Sequence, residues 1–338
     1  MNKFYLNYFC CPACSQDLLI KTFVSDQKDP SIVMEGVLYC ELCRTLYPIL
    51  DGIPFLLDGC YYEYIDITSF MRKWSNNFDF TFYQVLSKKA VSEKLKQINF
   101  YNVDSEFYDN TVSNSIFWKS SDWNTLHRWI KELPKEAVVL DLGCGTGRCT
   151  IPLARAGKCV FATDISLGMI KNAIKKGRES GVNSVNYFLA DAEALPMKPN
   201  LFSTIISFGV LHHVNNPELI IRSASGLLEK GGTFYALENN ASPLRPVFDF
   251  LMKIKKLWSE EAGQHPLFKK DDLVNIFKNN GMEPEIKTST FLPPHLFNFI
   301  GYRASKMLLS YTDNILHRIP FIEKFGGQLV IKATKYRG

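Results

Sequence analysis

Between residues 136 and 240 the chain repeats one pattern: a short apolar run, a polar or small residue at its end, then a stretch with helical spacing. The runs are Val138-Val139-Leu140, Val160 to Thr163, Val185 to Leu189, Thr204 to Phe208 and Thr233 to Leu237. Runs apolar at successive rather than alternate positions bury both faces, so they read as strands of a parallel sheet. The spacing predicts a helix over roughly 148–156 and another from Pro217 to Leu228, with Gly231-Gly232 turning into the fifth strand. Beyond these, Asp271 to Asn280 reads as an amphipathic helix stopped by Gly281, and Glu285 to Thr290 and Gln328 to Thr334 as two last strands.

The ends of these strands carry the chemistry, since open α/β sheets bind ligands at their carboxyl edge. The first runs into Asp141-Leu142-Gly143-Cys144-Gly145-Thr146-Gly147-Arg148. Glycines there let the backbone bend sharply and let a ligand lie against it with no Cβ in the way. The second strand ends at Asp164, placed to accept hydrogen bonds from both hydroxyls of a ribose. The third ends in Asp191-Ala192-Glu193-Ala194-Leu195-Pro196, and the fourth in Gly209-Val210-Leu211-His212-His213. A dinucleotide reductase competes for the glycine turn but leaves Asp141 and the 191–196 stretch without a role.

In this order the motifs resemble the class I S-adenosylmethionine-dependent methyltransferases, most nearly the type 11 branch that includes quinone and other small-molecule methyltransferases. The resemblance implies a doubly wound, mostly parallel seven-stranded α/β sheet, with the last two strands as an antiparallel hairpin at its edge. It also implies residue roles. Asp141, Gly143, Gly145 and Gly147 would line the methionine part of the cofactor, Asp164 would hold the ribose, and Ile165 would pack on adenine. Asp191 and Ala192 would meet the adenine amine, and Phe208 would complete the cofactor site.

Residues 1–60 form a unit. Cys11-Pro12-Ala13-Cys14 and Cys40-Glu41-Leu42-Cys43 are two hooks of two thiols each, a set that suits tetrahedral Zn²⁺. Four protein ligands leave no open position, so the metal would be structural. Leu18 to Val24 and Ile32 to Tyr39 read as short strands between the hooks. With the sequel Leu46 to Leu57, the unit is similar to short zinc-ribbon proteins related to the activator subunit of certain methyltransferases. Its charges are Lys3, Lys21, Lys28 and Arg44 against Asp17, Asp26, Asp29, Glu35, Glu41, Asp51 and Asp58, a balance of −3. An RNA-gripping ribbon would be basic, so docking or stabilisation is the expected role.

Residues 61–135 are an aromatic-rich helical linker or lid, with helical spacing over Val85 to Ile98 and Trp123 to Leu133. Tyr101, Tyr108, Phe117 and Trp118 are candidates for one wall of the acceptor pocket. Residues 136–338 form the cofactor-binding domain, with an insertion around 241–325. Within it, Pro246 to Trp258 and Phe291 to Leu309 are apolar with basic interruptions. They read either as a lid over a lipid-like acceptor, touching a membrane surface, or as packing helices. His265 and His295 lie in these loops as pocket candidates, and Glu238 ends the fifth strand facing the pocket. His212 and His213 would face the transferred methyl, where a histidine can take a proton from an oxygen nucleophile. Arg148 and Arg155 are expected on a solvent-exposed helix face.

Composition narrows the class. The 338 residues are 46% hydrophobic and 22% charged, the balance of a globular protein. A net charge of +5 does not mark a nucleic-acid binder. The absence of a basic start leading into an apolar run, and of any apolar stretch near 18 residues, argues against export or membrane spanning. Nine cysteines, an odd number, fit a reducing cytoplasm better than a disulfide framework. The expected activity is methyl transfer to a small-molecule or lipid-like acceptor. RNA methylation and a non-catalytic scaffold that binds the cofactor are the alternatives, and the ribbon is a possible site for a protein partner.

Overall fold

The computed structural model describes residues 1–63, 65–77, 94–95, 98–102, 115–246, 266–292, 297 and 299–337. Most of the expected 85–98 helix and of the 246–258 segment, together with Tyr108, His265 and His295, lies outside the described residues.

Two sheets organise the chain. The smaller is antiparallel, in the order β1 (Leu19–Ser25), β2 (Val33–Cys40), β3 (Thr45–Leu50) and β4 (Ile53–Pro54). The larger has seven strands: β5 (Val138–Leu142), β6 (Cys159–Asp164), β7 (Val185–Leu189), β8 (Phe202–Phe208), β9 (Leu228–Asn239), β10 (Met282–Ser289) and β11 (Gln328–Lys335). Their order is β10-β11-β9-β8-β5-β6-β7. Strands β5 to β9 pair in parallel, and β11 runs antiparallel to both β9 and β10. This is the doubly wound sheet and edge hairpin that the resemblance implies. Strand order reverses at β5, which lies between β6 and β8, so a crevice opens above its carboxyl end. Val139, Leu140 and Leu142 of β5 are completely buried, as an apolar run covered on both faces must be.

Helices cover the sheet. They are α1 (Thr68–Trp74), α2 (Ile116–Glu132), α3 (Thr150–Arg155), α4 (Leu167–Glu179), α5 (Pro217–Leu227), α6 (Lys270–Asn279), α7 (Tyr302–Leu316) and α8 (Pro320–Glu323). Local chemistry starts several of them. The Ser166 hydroxyl accepts the Met169 N–H to cap α4, and the Asn216 side chain accepts the Glu218 N–H to cap α5, which has Pro217 at its first position. α2 starts earlier than the spacing predicts, because Ser115 caps it well ahead of Trp123 and Phe117 buries against Phe297 and Leu309. The Gly231-Gly232 pair is not a turn before β9 but a bulge inside it. The register jumps from Phe202↔Leu228 to Thr204↔Thr233, with Gly231 at φ +80°.

The ribbon does not stand apart from the large sheet. Tyr8 stacks on Phe161 of β6 with ring centres 4.5 Å apart, and Phe9 meets Phe188 of β7 edge-on at 5.1 Å. Phe9, Leu38, Tyr47 and Ile49 share one continuous core with Phe161, Phe188 and Phe202. Phe55 pairs in parallel with Leu189 of β7, and the Leu56 N–H donates to the Leu189 carbonyl at 2.8 Å. The outer strand of the parallel sheet is therefore covered by the chain's own N-terminal unit, which removes an exposed strand edge.

Candidate functional site

The crevice above β5 is a small cavity lined by Asp141, Gly143, Cys144, Gly145, Thr146, Arg148, Cys149 and Phe208. Its floor is the glycine turn, in which Gly143, Gly145 and Gly147 have φ of +62°, +51° and +89°. A Cβ at Gly143 would lie 2.6 Å from the Val210 side chain, and one at Gly147 would lie 3.0 Å from Ile151. These two positions need glycine to pack. Gly145 differs, since a Cβ there would meet nothing within 4 Å, so this part of the turn is open on the cavity side.

Asp141 is 1% exposed, and its Oδ2 accepts the Thr150 hydroxyl at 2.5 Å. Burial pushes its carboxyl up to about 7, the nearby Asp164 adds to the rise, and the Thr150 hydrogen bond works against it. A buried carboxyl on the cavity wall whose donors, the Thr150 hydroxyl and N–H, are neutral is a natural receptor for a cationic group such as an α-ammonium. Asp164, at the end of β6, accepts the N–H of Gly145 and of Ser166, each at 2.9 Å. Burial raises its carboxyl in spite of these donors. The Ile165 N–H donates to it as well, which leaves part of the carboxylate's acceptor capacity for a ribose hydroxyl. Ile165 follows it, half-buried against the apolar cluster behind α4. The cavity chemistry thus fits the methionyl and ribose parts of S-adenosylmethionine.

Asp191 is more heavily engaged than its motif suggests. Oδ1 accepts the Glu193 N–H at 3.0 Å, while Oδ2 meets the Tyr61 hydroxyl at 3.1 Å and the Lys94 ammonium. Lys94 also reaches Glu193 at 2.6 Å, and Ala192 lies half-buried between the two acids. An adenine amine would have to share Asp191 with Lys94. Neither Tyr61 nor Lys94 carries a sequence signal, because they come from 130 and 97 positions away.

On the opposite side, Arg148 is drawn inward rather than exposed as its sequence position suggests. Its Nε donates to Asp122 at 2.6 Å, and its guanidinium lies over the Trp118 ring at 5.0 Å and the Phe208 ring at 4.8 Å. Trp118 and Phe208 thereby become parts of one wall held together by a cation. Arg155 is exposed, as expected.

The loop after β8 carries a second polar cluster. Glu238, 1% exposed at the end of β9, accepts the N–H of Val210 at 2.9 Å and of Leu211 at 2.8 Å through Oε1. Its Oε2 lies 2.7 Å from Nδ1 of His212. His213 lies beside His212 with ring centres 4.0 Å apart and planes tilted by 44°, and the Tyr101 hydroxyl lies 3.1 Å from its Nε2. Through Val210, which lies close against Gly143, this loop abuts the glycine turn.

Cys11, Cys14, Cys40 and Cys43 converge in the ribbon, with all four sulfurs within 4.8 Å of one another. Cys11–Cys43 and Cys14–Cys40 are both 3.5 Å apart, and Cys14–Cys43 is 3.6 Å. Four thiolates ~2.3 Å from a central Zn²⁺ sit roughly 3.8 Å from one another, so the set fits that ion. Hydroxyls of Thr45 and Tyr47 lie 3.5 Å and 3.4 Å from Cys11, placed to donate to a metal-bound thiolate.

Comparison with known proteins agrees with both halves. The family described as "Methyltransferase domain" matches residues 140–236, and the family "Trm112p-like protein" matches residues 2–52. A ubiquinone biosynthesis O-methyltransferase of Xanthomonas euvesicatoria is 37% identical over 108 residues, which are 32% of this chain and 45% of that protein. The ubiquinone/menaquinone biosynthesis C-methyltransferase UbiE of Cronobacter sakazakii is 31% identical over 197 residues, 54% of this chain and 77% of that protein. This chain thus spans less than half of the first relative and about three quarters of the second. The solved structure of a SAM-dependent methyltransferase from Thermotoga maritima, described as a possible histamine N-methyltransferase, superposes with a TM-score of 0.50. It shares 19% identity, over 71% of this chain and 99% of that one, so it speaks to the fold.

Proposed function

Because this chain belongs to the class I S-adenosylmethionine-dependent methyltransferases, we propose that it transfers a methyl group from that cofactor to a small or lipid-like acceptor. The observation that carries the reading is the cavity floor. Gly145 open on its turn face, a buried Asp141 and Asp164 at the neighbouring end of β6 together offer the contacts an amino-acid nucleoside needs. The relatives named for ubiquinone biosynthesis support a quinone-like aromatic acceptor with an apolar tail.

S-adenosylmethionine brings a methyl on a sulfonium that is already a good leaving group, so holding the nucleophile in line supplies much of the acceleration. Asp141 would receive the α-ammonium and Asp164 the ribose hydroxyls. Trp118, Arg148 and Phe208 would form one wall of the site. Glu238 takes the Nδ1 proton of His212 in a hydrogen bond, which leaves Nε2 as the basic nitrogen for an acceptor hydroxyl. Tyr101 and His213 form the neighbouring wall. The four cysteines hold a structural Zn²⁺, and the ribbon serves its own catalytic domain by capping β7.

The test is transfer of labelled methyl from S-adenosylmethionine, offered in parallel to hydroxylated aromatic acceptors with and without a prenyl tail and to ribosomal and transfer RNA. Label in the aromatic acceptors supports the proposal. Label confined to RNA replaces it with the nucleic-acid reading, and cofactor binding with no transfer to any acceptor leaves the scaffold reading.

A further inference from the structure

α7 has two apolar faces, one packed on the protein and a second turned to solvent. Its inner face buries Ser305 and Leu309, and Leu309 packs with Phe297 and with Phe117 of α2. Three polar contacts fix that seating: the Arg128 guanidinium donates to Asn314 at 3.1 Å and to Ser310 at 3.0 Å, and the Asn124 amide donates to the Lys306 carbonyl at 3.3 Å. At 3.6 residues per turn, positions 304, 307, 308, 311 and 315 share an arc of about 100° on another side. There Met307 is 71% and Tyr311 69% exposed, with Leu308 and Ile315 also open to solvent. Phe299 before the helix and Phe321 in α8 after it are exposed to a similar degree. Lone exposed apolar residues are ordinary, but a run of large ones along one short segment is a docking surface.

The charges say what docks. Exposed cations in this segment are Arg303, Arg318 and Lys324, with Lys306 half-buried over the Trp123 ring at 4.3 Å. Lys324 lies over Phe321 at 4.1 Å, an aromatic and a cation presented together. The two acids of the segment are both committed. Asp313 accepts the Thr290 N–H at 2.9 Å, and Glu323 pairs with Lys270. The face is therefore apolar and positive. A second copy of the chain would bring like charges together in a two-fold pairing, whereas an anionic bilayer complements both features. We propose that α7 and α8 dock this protein on the surface of an anionic lipid membrane, with Met307, Tyr311 and Phe321 entering the interface and the cations meeting headgroups. The same helix braces α2, whose first turn carries Trp118 beneath the cavity-lining Arg148, so docking would set the site close to the lipid phase.

The test is co-sedimentation of the purified full chain, without cofactor, with vesicles of phosphatidylcholine alone or with about one third phosphatidylglycerol. Omitting the cofactor makes the outcome independent of the methyl-transfer reading. Binding to the anionic vesicles that weakens with salt is expected, with little binding to the neutral ones. Met307→Asp with Tyr311→Asp should abolish it. Arg318→Glu with Lys324→Glu should weaken it about fivefold or more per charge removed, and these exposed changes should leave the melting midpoint in place. A folded chain that binds neither vesicle overturns the proposal. So does a chain that self-associates through this face, shown by a dimer that Met307→Asp with Tyr311→Asp converts to monomer.

Discussion

Glu238 and His212 form a buried carboxylate–histidine pair 2.7 Å apart, and the same carboxylate also holds two backbone N–H groups of the histidine's own loop. One side chain thus sets both the loop and the imidazole tautomer. A glutamine at 238 cannot accept from all three donors, because half of its amide is itself a donor. Glu238→Gln should lower the turnover number about a hundredfold, the order of a general-base contribution, while the affinity for S-adenosylhomocysteine changes little. Steady-state kinetics beside a binding measurement checks this. Equal losses in both would show that Glu238 only holds the fold.

Asp141 makes the cofactor site sensitive to pH. Its carboxyl sits at about 7 in the folded chain against an ordinary 3.8, so the ligand-free fold holds a proton that the unfolded chain releases. The native state without ligand is therefore favoured at low pH, and its stability falls as pH rises from about 4 through 7, by on the order of a few kcal/mol. A cationic ammonium needs the carboxylate form, so affinity for S-adenosylhomocysteine should rise up to about tenfold per pH unit below 7 and level off above it. Titration calorimetry from about pH 5.5 to about 8.5, which brackets that titration, reads this directly. Asp141→Asn should flatten the profile and weaken binding throughout.

The glycine turn separates packing from ligand contact. Gly143→Ala should lower the melting midpoint, since its Cβ would press on Val210 at 2.6 Å. Gly145→Ala meets no protein atom within 4 Å and carries only the left-handed backbone penalty of about 1 kcal/mol. It should fold and lose most of its affinity for the nucleoside. Differential scanning fluorimetry of the two variants with and without S-adenosylhomocysteine distinguishes these effects. Equal behaviour would contradict the division of roles.

Because the ribbon and the large sheet share one core, loss of metal should be felt beyond the ribbon. One zinc per chain is expected by elemental analysis. Cys14→Ser or prolonged chelation should lower the melting midpoint of the whole chain as a single transition, since structural zinc contributes on the order of 10 kcal/mol. A ribbon that melts separately, with the sheet transition unmoved, would show the two units to be independent.

Most of the frame is legible in the sequence because it is written locally. β7 falls on the residues its apolar run marks, and β5, β6 and β8 differ from theirs by one or two. Asp164 meets Gly145 because the parallel pairing of β5 with β6 brings their carboxyl ends side by side. What escapes a sequence reading is carried by long-range contact. Arg148 looks like a surface residue until Asp122 and two aromatic rings enclose it. Tyr61 and Lys94 reach Asp191 across the fold, and the Phe55–Leu189 pairing that joins ribbon to sheet has no periodic signature. The Gly231-Gly232 pair predicts a turn where the structure has a bulge, because both features use the same residues.

The central claim is that the turn after β5 binds S-adenosylmethionine. The most direct measurement is a thermal melt of the zinc-loaded chain with and without S-adenosylhomocysteine, with Asp164→Ala as control. A rise in the midpoint of the native protein that the variant lacks is the predicted result. No rise in a folded, zinc-replete sample would contradict the claim and leave the cavity without its proposed ligand.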